Sequence, residues 1–330
     1  MIQARIAIPP EVSPEAFRRR DRNAKVVALA GATMGTSWSV RIVSPHPPAQ
    51  LRAGIDRALD CVIAQMSTWE QGSDISRFNR TPLGQWCTLP ADFAYVLAAG
   101  LAVARASDGA FDPAAGALVD LWGFGPAGGR TAPPEAAALA VTASGWQAIE
   151  CDGARARRAV AVRLDLSGIA KGFAVDAVAR VLRALGAEDF LIEIGGELLG
   201  AGVKPDGQPW WVELETPPDM VPGTAPAPLR IALHGCAVAS SGDYRRFFEH
   251  EGQRYAHTLD PRTRRPVTNA VVSATVVHPS CMMADAWATA LTVSGADAGM
   301  ALAGREGLAA RMLLRDGSEI LSSALQAMLD

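Results

Sequence analysis

The chain has 330 residues, 49% of them hydrophobic and 20% charged, which is enough apolar material for one large domain or two small ones. Its formal net charge of −3 comes from signs mixed along the whole length. A protein that neutralises many phosphates needs a basic stripe, and this chain has none, so nucleic acid is not expected as a partner.

Residues 1–27 read as a polar, proline-containing tail, 28–322 as one domain with room for two lobes, and 323–330 as a C-terminal tail. The apolar stretch from Val26 to Ala32 is too short for a signal-peptide core or a membrane span. The chain as written is therefore expected in the cytoplasm; a different start site would move that expectation to the periplasm or the membrane surface. The five cysteines (Cys61, Cys87, Cys151, Cys236 and Cys281) never fall in a C-x-x-C spacing and are expected to be reduced and mostly buried.

In chain order, Trp38, Val40 and Ile42 alternate with polar residues, the period of a half-buried strand. Leu51 to Met66 and Phe93 to Ala104 carry apolar residues at three- and four-residue spacing, and the second run closes at Ser107-Asp108-Gly109, so two helices are predicted. Alternation at Val160, Val162 and Leu164 predicts another strand, followed by a helical face from Val175 to Leu185 that Gly186 ends. Strands then cluster at Phe190–Ile194, Trp210–Leu214, Leu229–Leu233, Arg254–Leu259 and Val271–Val277, separated by Gly/Pro-rich turns, a pattern of antiparallel sheet. The segment from Pro217 to Pro228 reads as a surface excursion. A helix over 280–293 precedes closing strands near 310–314 and 319–321, so the fold class expected is α+β.

Five elements carry the candidate chemistry. Asp285 and Thr289 lie four apart on the late helix and project from one face, where a carboxylate and a hydroxyl suit one hard cation such as magnesium. The same spacing also describes an early-helix carboxylate beside a packed threonine. Asp165-Leu166-Ser167-Gly168-Ile169-Ala170-Lys171-Gly172 runs through a small-residue turn into a helix, a place where backbone approaches phosphate. Lys171 at the positive end of that helix is disfavoured unless something negative sits opposite it; it reads either as a ligand contact or as a solvated lysine after a tight turn. Ser240-Ser241-Gly242 offers hydroxyls around a glycine, and His257 stands before Leu259-Asp260-Pro261, either as a general base or as a structural donor. Finally, Ala110-Phe111-Asp112-Pro113, Leu121 to Pro126 and Ser67 to Asn79 gather aromatic residues such as Trp69 where no regular element is expected; they either stack a flat ring or anchor long loops.

Taken in order, these segments resemble the FAD:protein FMN transferase family, also called the ApbE family, over about residues 31–315. The resemblance rests on Thr33-Met34-Gly35-Thr36, Ser67 to Asn79, Phe111-Asp112-Pro113 with Leu121 to Gly125, and Asp165 to Asp176. It continues with Ile194-Gly195-Gly196-Glu197, Ser241 to Tyr244, His257 to Pro261 and Ala284 to Thr289. It implies a T-fold-like architecture of antiparallel sheets with packed helices, FAD as substrate and Mg2+ at its pyrophosphate. It further implies FAD contacts at Met34, Trp69, Ala110, Phe111, Asp112, Asp165, Lys171 and the Leu259 backbone, with Ser241 beside them. The metal would be held by the Gly168 carbonyl, Asp285 and Thr289. The implied reaction attaches FMN to a Thr or Ser hydroxyl of an acceptor flavoprotein bearing a Ser/Thr-Gly-Ala-Thr-like motif, and AMP leaves, with Lys171 and His257 as the catalytic pair.

Three departures accompany the resemblance: Arg264 replaces a usual glycine in the turn after Asp260-Pro261, Glu193 stands near the double glycine, and the sequence as written is expected to lack the export signal that many members carry. An FAD pyrophosphatase would use the same site with water as nucleophile. A non-catalytic FAD carrier would not need the Asp285, Thr289, Lys171 and His257 set. Val272-Ser273-Ala274-Thr275 resembles an acceptor motif but lies mid-strand, so no self-modification is expected.

Overall fold

The computed structural model describes residues 4–9, 13–217, 220 and 226–329; most of the Pro217–Pro228 excursion lies outside the described residues. Eight strands among them form one antiparallel sheet in the order Glu319–Leu321, Ala309–Leu314, Val271–His278, Cys236–Gly242, Glu197–Ala201, Asp189–Ile194, Thr36–Val43 and Val26–Thr33. Period-two alternation sorts the side chains of these strands onto two faces. Phe190, Ile192, Leu199, Ala237, Ala239, Ala274 and Val276 point to one core, whereas Leu191, Leu198, Val238 and Val277 point to the other.

The first face is covered by helices Pro48–Met66, Ala91–Ala106, Ala170–Ala184 and Cys281–Ser294. The last of these is buried almost all round, as its Ala-rich sequence allows. A small sheet of Arg5–Ala7, Leu229–Leu233 and Trp210–Glu213 covers the second face. A third cluster stacks Trp122 on Tyr255 at 5.7 Å and Tyr255 on Phe248 at 5.1 Å, tying the Phe247–Ala256 hairpin to the loop after the Gly116–Leu121 helix.

Antiparallel sheet with packed helices agrees with the α+β reading, and several local expectations are corrected. Residues 4–9 and 13–27 form no free tail: Arg5–Ala7 pairs in parallel with Leu229–Ile231, Pro14–Arg18 is helical, and an edge strand starts at Val26. The C-terminal segment likewise holds a helix at Ser323–Gln326 and a bridge from Leu329 to Ala7. Val160 to Leu164 forms no strand: the chain bends at 160–161, Val162 N bonds Val160 O at 2.8 Å, and Arg163 makes an isolated bridge to Ala115; the strand is Arg155–Arg158 just before it. Arg254–Leu259 is two strands, broken where His257 turns. All five cysteines are free, but only Cys236 and Cys281 are buried. The aromatic-rich segments contain the short helices Asp74–Arg80 and Gly116–Leu121.

Candidate active site

Two tight turns stand side by side at one end of the large sheet. Met34-Gly35 joins the paired residues Thr33 and Thr36, and Gly195-Gly196 joins Ile194 and Glu197. All four turn residues have positive φ, as two-residue hairpin turns with the sheet's twist require. For Met34, at φ 47°, that conformation costs about 1–3 kcal/mol, and it sets the side chain at the rim of a cavity.

The cavity, of about 370 Å³, lies between these turns, the end of strand Cys236–Gly242, the first turn of helix Ala170–Ala184, the face of helix Cys281–Ser294 and the loop at 110–115. Met34, Ala110, Phe111, Asp112, Asp165, Gly168, Lys171, Ser241, His257, Leu259, Asp285 and Thr289 all line it. Trp69 does not; it is 60% exposed in the bend after helix Pro48–Met66. A larger cleft of about 1100 Å³ beside residues 13–19 gathers no comparable set, and both ring nitrogens of its His234 are already engaged by Gly202 O and Ser13 N.

The metal candidates converge. A Cβ built on Gly168 would lie 3.1 Å from Thr289 Oγ1, so the glycine backbone and that hydroxyl adjoin. Asp285 is 4% exposed; its Oδ2 accepts from Gly172 N at 3.0 Å. Burial raises the Asp285 pKa against the opposing pull of the Lys171 ammonium and the Gly172 N–H. A buried carboxylate so placed, a hydroxyl and a nearby backbone are oxygen donors suited to a hard cation, so these residues fit magnesium. Among the described residues no group of three or more His, Cys, Asp or Glu could hold a metal, so this candidate site is poor in carboxylates.

Two helices fix that geometry by capping one another. Asp285, from the later helix, accepts the Gly172 N–H at the start of the earlier one. Asp176, from the earlier helix, accepts from Ser280 Oγ at 2.7 Å and from Cys281 N and Met282 N, both at 3.0 Å, at the start of the later one. Each carboxylate meets orphan N–H groups at the positive end of its neighbour.

The negative partner that Lys171 requires is Glu197, whose Oε1 accepts from the lysine Nζ. Burial alone would lower the Lys171 pKa, but the Asp285 and Glu197 carboxylates lift it above its ordinary value. Burial raises Glu197 to about 7 despite the lysine. Sequence reasoning quoted Glu197 without assigning it a role, because the lysine's need for a counter-charge does not say where in the chain that charge lies. Tyr244, Arg245 and Arg246 also line the cavity and were likewise given no role.

His257 has its Nδ1 3.1 Å from Arg246 O. A carbonyl only accepts, so Nδ1 carries the proton and Nε2 is the ring's acceptor. Burial, together with the Arg246, Lys171 and Arg245 charges, lowers its pKa to about 4, so the ring is neutral near pH 7. Asp112 is raised to about 6 by burial, although the backbone N–H groups of Ala114, Trp146 and Gly145 oppose the shift. Asp165 caps its own turn, its Oδ1 accepting from Ser167 N at 2.7 Å.

The departures also have local answers. Arg264 takes φ 63° and keeps the turn, with its N–H on Asp260 O at 2.8 Å and its guanidinium on Leu139 O and Ala140 O at 3.0 and 3.1 Å. Glu193 accepts from Ser39 Oγ on the neighbouring strand at 3.0 Å.

This architecture, with its cavity at the turn-bearing end of the sheet, is that of the flavin transferases. The flavinyl transferase ApbE of Pseudomonas stutzeri, in its apo form, superposes with a TM-score of 0.85 at 38% identity, over 92% of this chain and 97% of that one. The flavin transferase ApbE from Vibrio cholerae gives 0.86 at 35%, over 92% and 99%. A profile of the ApbE family matches residues 34–312. The FAD:protein FMN transferase of Haemophilus influenzae is 35% identical over 318 residues, 93% of this chain and 91% of its own length. The chain belongs to the ApbE family.

Proposed function

We propose that the protein is a magnesium-dependent FAD:protein FMN transferase that attaches FMN to a Thr or Ser hydroxyl of an acceptor flavoprotein and releases AMP. The observation that carries this reading is one cavity in which a buried carboxylate, a threonine hydroxyl, a lysine beside a helix N-terminus and a neutral histidine face the same space. Family membership points the same way.

In this reading the Ala170–Ala184 helix start and Lys171 bind the FAD pyrophosphate. The acceptor oxygen forms a bond to the FMN-side phosphorus, the bond from that phosphorus to the bridging oxygen breaks, and AMP leaves with that oxygen. His257 Nε2 takes the hydroxyl proton; its neutral state near pH 7 suits that role. Lys171 adds positive charge where negative charge grows on the phosphoryl oxygens. The Gly168 carbonyl, Asp285 and Thr289 would hold magnesium, which would supply further neutralisation of that charge. Phe111, packed by Gly168, and Met34 offer apolar surface to a flat ring.

The test incubates the protein with FAD, magnesium and a peptide bearing Ser-Gly-Ala-Thr, reading AMP and peptide mass together. AMP with a peptide heavier by FMN minus water supports the transferase. AMP with free FMN and unmodified peptide would show a pyrophosphatase instead, and intact FAD would show a carrier. Asp285→Ala abolishes AMP release in this reading. His257→Ala retains FAD binding and slows transfer by about 10²–10⁴-fold.

A further inference from the structure

Glu197 is 2% exposed, at the first position of a strand, directly after the Gly195-Gly196 turn that walls the cavity. One carboxylate oxygen meets Lys171 Nζ. The other, Oε2, is buried with no hydrogen-bond partner among the described residues. A carboxylate kept only for the fold would have both oxygens satisfied, because an unpaired buried acceptor is unfavourable. Lys171 in turn begins a helix whose dipole repels it; the first turn of that helix has no acidic residue, and its carboxylate Asp176 is taken up in capping the neighbouring helix. The tight turn fixes Glu197, Glu197 fixes the ammonium, and the ammonium faces the cavity that also contains Gly168, Asp285 and Thr289.

We propose that Glu197 is a positioning residue that acts through Lys171, holding its ammonium against the phosphate groups of the bound dinucleotide, while its own Oε2 receives a donor from the occupied site. This rests on the transferase reading for the identity of the substrate, but the coupling of the two side chains can be measured without turnover.

The experiment compares wild type, Glu197→Gln, Lys171→Met, the double variant and Glu197→Asp. Thermal midpoints establish folding, ADP affinity is measured by calorimetry without catalysis, and AMP release is measured at saturating FAD and magnesium. Glu197→Gln and Lys171→Met each slow AMP release about 100-fold. Each weakens ADP binding about tenfold. The double variant is no worse than Lys171→Met alone, because both substitutions remove one unit. Glu197→Asp retains the charge on a shorter stem, so it folds and binds ADP yet loses rate from a misplaced ammonium. Multiplicative losses in the double variant, or wild-type rate and ADP affinity in Glu197→Gln, would overturn the proposal. Should Glu197→Gln fail to fold, Glu197→Asp with wild-type rate overturns it. Should wild type leave FAD intact, the transferase reading fails and the ADP cycle alone decides the coupling.

Discussion

Asp112 shows how a site residue works against the fold that holds it. Its carboxyl is raised to about 6 by burial. An aspartate in an unfolded chain titrates near 3.9, so between about pH 4 and 6 the folded protein binds the extra proton. Stability from this group is therefore full at low pH and falls as pH rises through that window. Asp112→Asn keeps an oxygen for the Ala114 N–H, 2.7 Å away, and removes the charge. It should stabilise the protein at pH 7.5 by up to about 3 kcal/mol and leave it nearly unchanged at pH 4, as urea unfolding at both values would read. Equal effects at both pH values would show that burial of the charge is not the cause. Asp112 was legible in sequence as part of an aromatic, loop-borne motif. Its altered acidity was not, because burial is set by the folded chain, and the Gly145 and Trp146 N–H groups that oppose the shift also lie far from it in sequence.

The site depends on how closely two helices approach. A Cβ on Gly172 would come within 2.3 Å of Cys281 O and 2.8 Å of Asp285 Cβ, so no side chain fits between the helices. Gly172→Ala must push the helix starts apart, breaking the Gly172 N–H to Asp285 contact. Overpacking of this kind costs about 1–3 kcal/mol. The prediction is a lower thermal midpoint together with loss of magnesium-dependent AMP release, and retained activity would show that the two starts can separate without harm. The Asp285 and Thr289 spacing was readable from helical periodicity alone. The reciprocal caps were not, since Asp176 and Cys281 are 105 positions apart in the chain. Strand periodicity misled at Val160 to Leu164: Val160 is exposed, and Val162 and Leu164 are buried with Arg158 NH1 on Val162 O in place of a ladder bond. The strand expected at Val271–Val277 is present as Val271–His278, buried on both faces, where Thr275 is 5% exposed and its Oγ1 bonds Ser240 Oγ at 2.7 Å. Thr275 therefore stays unmodified, and intact mass after incubation with FAD and magnesium should show no added FMN on the protein.

At the scale of the whole molecule, the two ends of the chain close a layer that the sequence alone had left as tails. Three-residue strands such as Arg5–Ala7 are too short to show a period, and their partners lie over two hundred positions away, so no local pattern announces them. Ile8 N donates to Met328 O at 2.8 Å, and Arg5 meets Glu319 at 2.5 and 2.7 Å. Glu319 also accepts from the buried Arg311 at 2.7 Å, so one carboxylate serves two guanidinium groups. Burial would raise the Glu319 pKa, but the hydrogen bonds from Arg5 and Arg311 and their charges bring it below its ordinary value. Its contribution is therefore present at neutral pH and is lost as pH falls below the carboxylate range. Arg5→Ala removes one of the two partners; because Arg5 is about one-third exposed, solvent screens part of the loss, which should be about 1–2 kcal/mol at pH 7. Arg5–Ala7 pairs with Leu229–Ile231 on the face away from the helices, and Arg5 is not among the cavity-lining residues. Arg5→Ala should therefore lower the thermal midpoint while AMP release, measured below the transition, keeps its wild-type rate; a slower rate in folded protein would mean that this layer also holds the site in place.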